Sequence, residues 1–126
     1  MNISATRRFY QVDVFSARAG VGNPLAVVLD AEGLDDGQMQ AIASWANLAE
    51  TTFVLPPTTP EAHYRVRIFT TRQEIAFAGH PSIGTAHAVL AAGLAAPESG
   101  LLVQECRAGL LPVQRRSPGA TSTLSV

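Results

Sequence analysis

The sequence predicts an α+β domain in which a curved, mostly antiparallel, barrel-like sheet wraps a central helix. Three observations carry that expectation. The apolar segments come in the order strands, helix, strands, long helix, strands. The second helical segment lies between Glu74 and Glu98, a stretch with no Asp, Glu, Lys or Arg, and its Ala and Gly residues suit a helix surrounded by protein on every face. Beyond it, residues 101–105 and 110–115 meet around Ala108 and Gly109 as a hairpin.

Taken in order, residues 9–15 put Tyr10, Val12 and Val14 on one face and Gln11 and Asp13 on the other, the period of a strand with one buried side. The loop Gly20-Val21-Gly22-Asn23-Pro24 leads into a second strand over residues 25–29. Its glycines therefore open no helix, and a dinucleotide or P-loop reading lacks its structural context. Asp35 is placed to cap the first helix, Gln38 to close a capping box with it, and Leu34 to staple onto Met39. That helix is expected to run to Leu48, with Met39, Ile42, Ala43, Ala46 and Ala49 facing the sheet and Trp45 widening the stripe.

A strand over residues 51–55 follows, then a stiff surface link of Pro56, Pro57 and Pro60 with two threonines. Residues 64–70 alternate as a strand with Arg65 and Arg67 outward, and residues 72–75 return as a hairpin. Gly79 and His80 then turn the chain into the second helix, with Pro81 in its first position and Gly93 at its end. His63 is expected at the surface and His87 as a packing residue of that helix.

With 126 residues the chain forms one domain of ordinary size, able to bury a modest core. A net charge of −1 with 15% charged residues provides no basic field for nucleic acid or a membrane surface. One cysteine, Cys106, excludes an internal disulfide framework, and three histidines fall in no zinc-like spacing. Asp13 interrupts the apolar run near the start, so no export signal is expected, and a cytoplasmic location is. Glycines, proline and histidines break the uncharged stretch before it reaches membrane-spanning length.

Two places carry chemistry. Glu50 is expected where the first helix ends and an apolar strand begins, where desolvation and the negative end of the helix dipole both disfavour its charged form. It is a candidate general acid/base, or else an exposed turn residue. At the start of the second helix, the N–H groups of Ser82, Ile83 and Gly84 are expected to point outward as a site for a carboxylate or phosphate, with His80 beside them. The alternative is that Gly79-His80-Pro81 is only a tight corner and His80 a turn residue.

Three blocks of the sequence go further: Gly22-Asn23-Pro24, then residues 47–54 (NLAETTFV), then residues 77–86 (FAGHPSIGTA). In identity, order and spacing they resemble the signature blocks of the phenazine-biosynthesis PhzF-like family, relatives of diaminopimelate epimerase. The resemblance covers residues 9–116. It implies a fold of two similar halves, each a barrel-like sheet around a central helix, with the active site in the cleft between. It implies a cofactor-independent and metal-free isomerase or epimerase that moves a proton on a small carboxylate substrate. By this resemblance Glu50 matches the acid/base, His80 and Gly79 match substrate-contacting groups, and Asn23 matches the polar residue of the Gly-Asn-Pro loop.

Ala49, Ser82 and Ala76 are mild departures from the family pattern, where Ser, Thr and Pro are common. Ala78-Gly79 stands where diaminopimelate epimerase has a cysteine, which excludes two-thiol racemisation. The chain is expected as one lobe, residues 1–116, with 117–126 resembling the start of an inter-lobe linker and the second half absent. Three readings follow: an isomerase completed by another copy or by a separate second lobe, a catalytically inactive truncated lobe, or a small-carboxylate binding module. A homodimer is the expected way to cover the face the second lobe would meet.

Overall fold

The computed structural model describes residues 7–14, 23–95, 100–115 and 124–125. The glycine loop before Asn23 and most of the tail lie outside them. Alternation and turn chemistry give β1 (Phe9–Val14), β2 (Asn23–Val28), α1 (Asp36–Ala46), β3 (Glu50–Leu55), β4 (Tyr64–Phe69), β5 (Glu74–Ile75), α2 (Gly79–Ala91), β6 (Leu101–Cys106), β7 (Gly109–Arg115) and β8 (Leu124–Ser125). The strands lie in the order β1-β2-β3-β4-β6-β7-β8, with β5 pairing β4 off that path. Only β2–β3 and β4–β6 are parallel, so the sheet is mostly antiparallel as expected.

Alternate residues of the strands separate two cores. Leu25, Val27, Val54, Val66 and Ile68 pack inward with Ala86, Ala88 and Val89 of α2. Val28, Phe53 and Phe69 point the other way, onto Met39 and Ala43 of α1. A one-residue slip would exchange the two sets, so the cores fix the register. Because α2 touches β1, β2, β3, β7 and β8, the sheet curls about it from edge to edge. The curl stays open. Gly79, His87 and Ala91 leave an exposed stripe on α2, so the expectations that protein surrounds every face and that His87 packs inward are both corrected.

The helix ends follow the sequence unevenly. Asp35 and Gln38 form the capping box, at 2.8 and 2.9 Å. α1 stops at Ala46, earlier than expected, because Asn47 takes a left-handed conformation (φ 56°) and its N–H returns to the Ala43 carbonyl. Trp45, expected on the packed face, is 80% exposed, and Ala49 is exposed as well. Gly93 (φ 72°) does end α2: its N–H bonds to Leu90 O and that of Leu94 to Val89 O, the paired bonds of a glycine-terminated helix.

Arg67 points away from α2 but is not outward to solvent as expected: it is only 15% exposed, on the α1 side of the sheet over the Phe69 ring. Its guanidinium makes two hydrogen bonds to Glu74, at 2.7 and 2.8 Å, and an ion pair with Asp36 at 2.8 Å, which ties the β4–β5 hairpin to the start of α1.

Candidate active site

Glu50 opens β3, four residues after the last residue of α1, instead of closing the helix. In the parallel register it stands beside Leu25 of β2. Strand alternation puts Glu50 on the same face as Thr52 and Val54, toward α2. His80 occupies the first turn of α2. Oε2 of Glu50 and Nε2 of His80 are 3.1 Å apart, with side chains only 15% and 24% exposed. The two atoms are close without the alignment of a good hydrogen bond. A carboxylate and an imidazole at that distance, both partly buried, are candidates for general acid–base chemistry.

The start of α2 differs from its sequence-based expectation. The helix begins at Gly79, with Ala78 as a cap that provides no side-chain hydrogen bond. Pro81 thus holds the third position, where its missing N–H costs no helical bond either. The N–H of Ser82 already bonds to Ala78 O at 3.3 Å. Ile83 and Gly84 follow inside the helical ladder, so the three N–H groups expected to point outward are occupied. Ser82 is fully buried, with its hydroxyl bonded to Ala78 O and Gln104. Gly79 at this end is exposed and has open space where a Cβ would stand.

Asn23 begins β2 two residues ahead of Leu25, so its backbone reaches the same end of the sheet as Glu50. Its side chain lies outside the described residues. A buried polar group that sequence reasoning passed over is Gln104: between Leu102 and Cys106 it occupies the inward face of β6, an irregularity visible in the alternation itself.

A cavity of about 490 Å³ lies at the other end of β3, among Leu29, Val54, Leu55, Pro57, His63 and Leu94. Its lining is mainly apolar with two acids, Asp30 and Glu32; Asp30 is engaged by Arg8, and neither Glu50 nor His80 lines this cavity. Among the described residues no cluster of His, Cys, Asp and Glu has the makings of a metal site, and no helix is long and apolar enough to cross a membrane.

The family model described as phenazine biosynthesis-like protein matches residues 12–126. The chain belongs to that family. It is 52% identical over 103 residues to "Antisense-enhancing sequence 1" of Schizosaccharomyces pombe, covering 82% of this chain and 35% of that protein. It is 41% identical over 105 residues to trans-2,3-dihydro-3-hydroxyanthranilate isomerase of Pseudomonas aeruginosa, covering 83% of this chain and 36% of that one. The crystal structure of a PhzF-family protein from Bacillus anthracis superimposes with a TM-score of 0.82 at 35% identity, over 92% of this chain and 38% of its own. The chain thus spans little more than a third of the length of these relatives, and it has the family's α+β fold with the sheet open.

Proposed function

We propose that this chain is one lobe of a PhzF-like isomerase that moves a proton on a small carboxylate substrate. The juxtaposition of Glu50 and His80 carries the reading. In it Glu50 takes and returns the proton, and His80 holds the substrate or the developing charge. The partly buried setting favours such transfer, because few waters compete for the proton while one side remains open. The exposed backbone at Gly79 receives the substrate's anionic group, helped by the positive end of α2. Asn23, from the neighbouring strand, is the further polar contact, and Ser82, Ile83 and Gly84 support that turn from within. The isomerase activity named for the Pseudomonas relative is the model for the reaction type.

The rest of the site is supplied by an apposed surface, either a second copy or a separate second lobe. Light scattering over a range of concentrations tests the first: a dimer is expected, and a monomer at tens of micromolar would favour a separate lobe or an inactive one. For the site itself, small dicarboxylates and trans-2,3-dihydro-3-hydroxyanthranilate are titrated while backbone amide resonances are followed. Glu50, Gly79 and His80 are expected to move first. Shifts confined to Leu29, Leu55 and Leu94 would move the site to the opposite cavity.

A further inference from the structure

Two hydroxyls on α2 share one arrangement. Ser82 Oγ donates to the carbonyl of Ala78 and receives Nε2 of Gln104, each at 2.9 Å. Thr85 Oγ1 lies 2.6 Å from the carbonyl of Pro81 and 2.7 Å from Thr52 Oγ1. A carbonyl only accepts, so the single Thr85 proton goes to Pro81 and the hydroxyl's lone pair takes the proton of Thr52. Each relay runs from the sheet, through a helix hydroxyl, to a carbonyl one turn back. Thr52, Ser82, Thr85 and Gln104 are all fully buried. In that apolar interior they have no water to turn to, so sliding or rotating α2 strands polar groups on both sides.

These relays bracket His80. Ala78 and Pro81, whose carbonyls end them, flank the Gly79-His80 pair, and Thr52 is two residues along β3 from Glu50. Two strand residues advance about 6.7 Å and five helix residues about 7.5 Å. The Glu50–His80 contact and the Thr52–Thr85 bond are therefore successive rungs between the same two elements, which run in the same direction. Gln104 holds the helix from β6, on the far side of β4.

The geometry points to Thr52 and Gln104 as positioning residues that set the depth and rotation of the first turn of α2 and so hold His80 against Glu50. The inference rests on the proposed use of that pair. It matters because a displacement of about 1 Å can cost roughly 100-fold in rate.

The test is the nuclear Overhauser effect between the His80 ring and the Glu50 γ protons in the whole chain, with the His80 ring shift beside it and His63 as an internal control. Thr52→Val and Gln104→Met remove a donor with little change of shape. Both are expected to keep a cooperative thermal transition, to lose the contact, and to move the His80 ring signal toward its position in Glu50→Gln. Thr52→Ser is expected to retain the contact. If only one of Thr52→Val and Gln104→Met folds, it is read by the same criteria. Retention of the contact in the folded variants overturns the positioning role and leaves the pair standing. Loss in Thr52→Ser as well overturns it in favour of packing, and unfolding of both variants overturns it in favour of a purely structural role. A His80 ring signal indifferent to Glu50→Gln overturns the reading of the pair itself.

Discussion

Glu50 and His80, thirty positions apart in sequence, are brought to 3.1 Å by the parallel course of β3 and α2. The strand begins and the helix begins at the same end of the fold, so the carboxylate and the imidazole meet where the helix dipole is positive. That end is partly open, with the Glu50 and His80 side chains 15% and 24% exposed.

Gly79 offers a test in which stability and function separate. Its φ is not in the left-handed region and a Cβ there meets nothing within 4 Å. Gly79→Ala is therefore expected to leave the melting temperature unchanged or to raise stability by up to about 1 kcal/mol, as alanine is the better helix former. It is also expected to weaken binding of small carboxylates, since the methyl occupies the open space beside the backbone proposed to receive them. Unchanged binding, read by amide shifts, would remove Gly79 from the site.

The two faces of α1 predict opposite sensitivities. Met39 is 1% exposed between the sheet and the helix, whereas Trp45 is 80% exposed. Met39→Ala should cost about 2–5 kcal/mol through lost burial and a cavity. Trp45→Ala should stay within about 0.5 kcal/mol. Denaturant unfolding at matched protein concentration measures both, and a large loss at Trp45 would mean that a partner covers it.

The Asp30–Arg8 pair predicts an acid-sensitive contribution. Arg8 makes two side-chain hydrogen bonds to Asp30, at 2.8 and 2.9 Å. Chiefly through those bonds, the Asp30 carboxyl falls from an ordinary 3.8 to about 2. A depressed carboxylate stabilises the fold fully above its unfolded value and loses that contribution as pH falls toward its folded one. The stability difference between the wild type and Asp30→Asn should thus hold from neutral pH to about 4 and shrink between about 4 and about 2. Because both side chains are more than a third exposed, added salt should reduce it. Urea unfolding over that pH range checks this, and a constant difference would show that the pair does not act as read.

Local chemistry was the legible part of this sequence. The capping box at Asp35 and Gln38 and the glycine stop at Gly93 involve neighbours within a turn, and both form as read. The start of α2 was not legible, because proline is equally free of cost at the first and third helical positions, both of which have N–H groups without a helical partner. Trp45 misled for a related reason. A helical stripe specifies a centre but not a width, and the curvature of the sheet decides how much of the flank is covered. Glu50 and His80 were each legible as chemistry-bearing residues, while the distance between them belongs to the tertiary fold.

The proposed role of Glu50 is tested by deuterium incorporation into trans-2,3-dihydro-3-hydroxyanthranilate, incubated in D₂O with the chain or with Glu50→Gln and followed by NMR. Exchange of a substrate proton needs only one acid–base group, so it tests this lobe without the rest of the site. Incorporation is expected with the wild type and falls by about 100-fold or more in Glu50→Gln, the scale of a lost general acid/base. Equal incorporation by the two proteins, or none above the protein-free rate, would contradict that role.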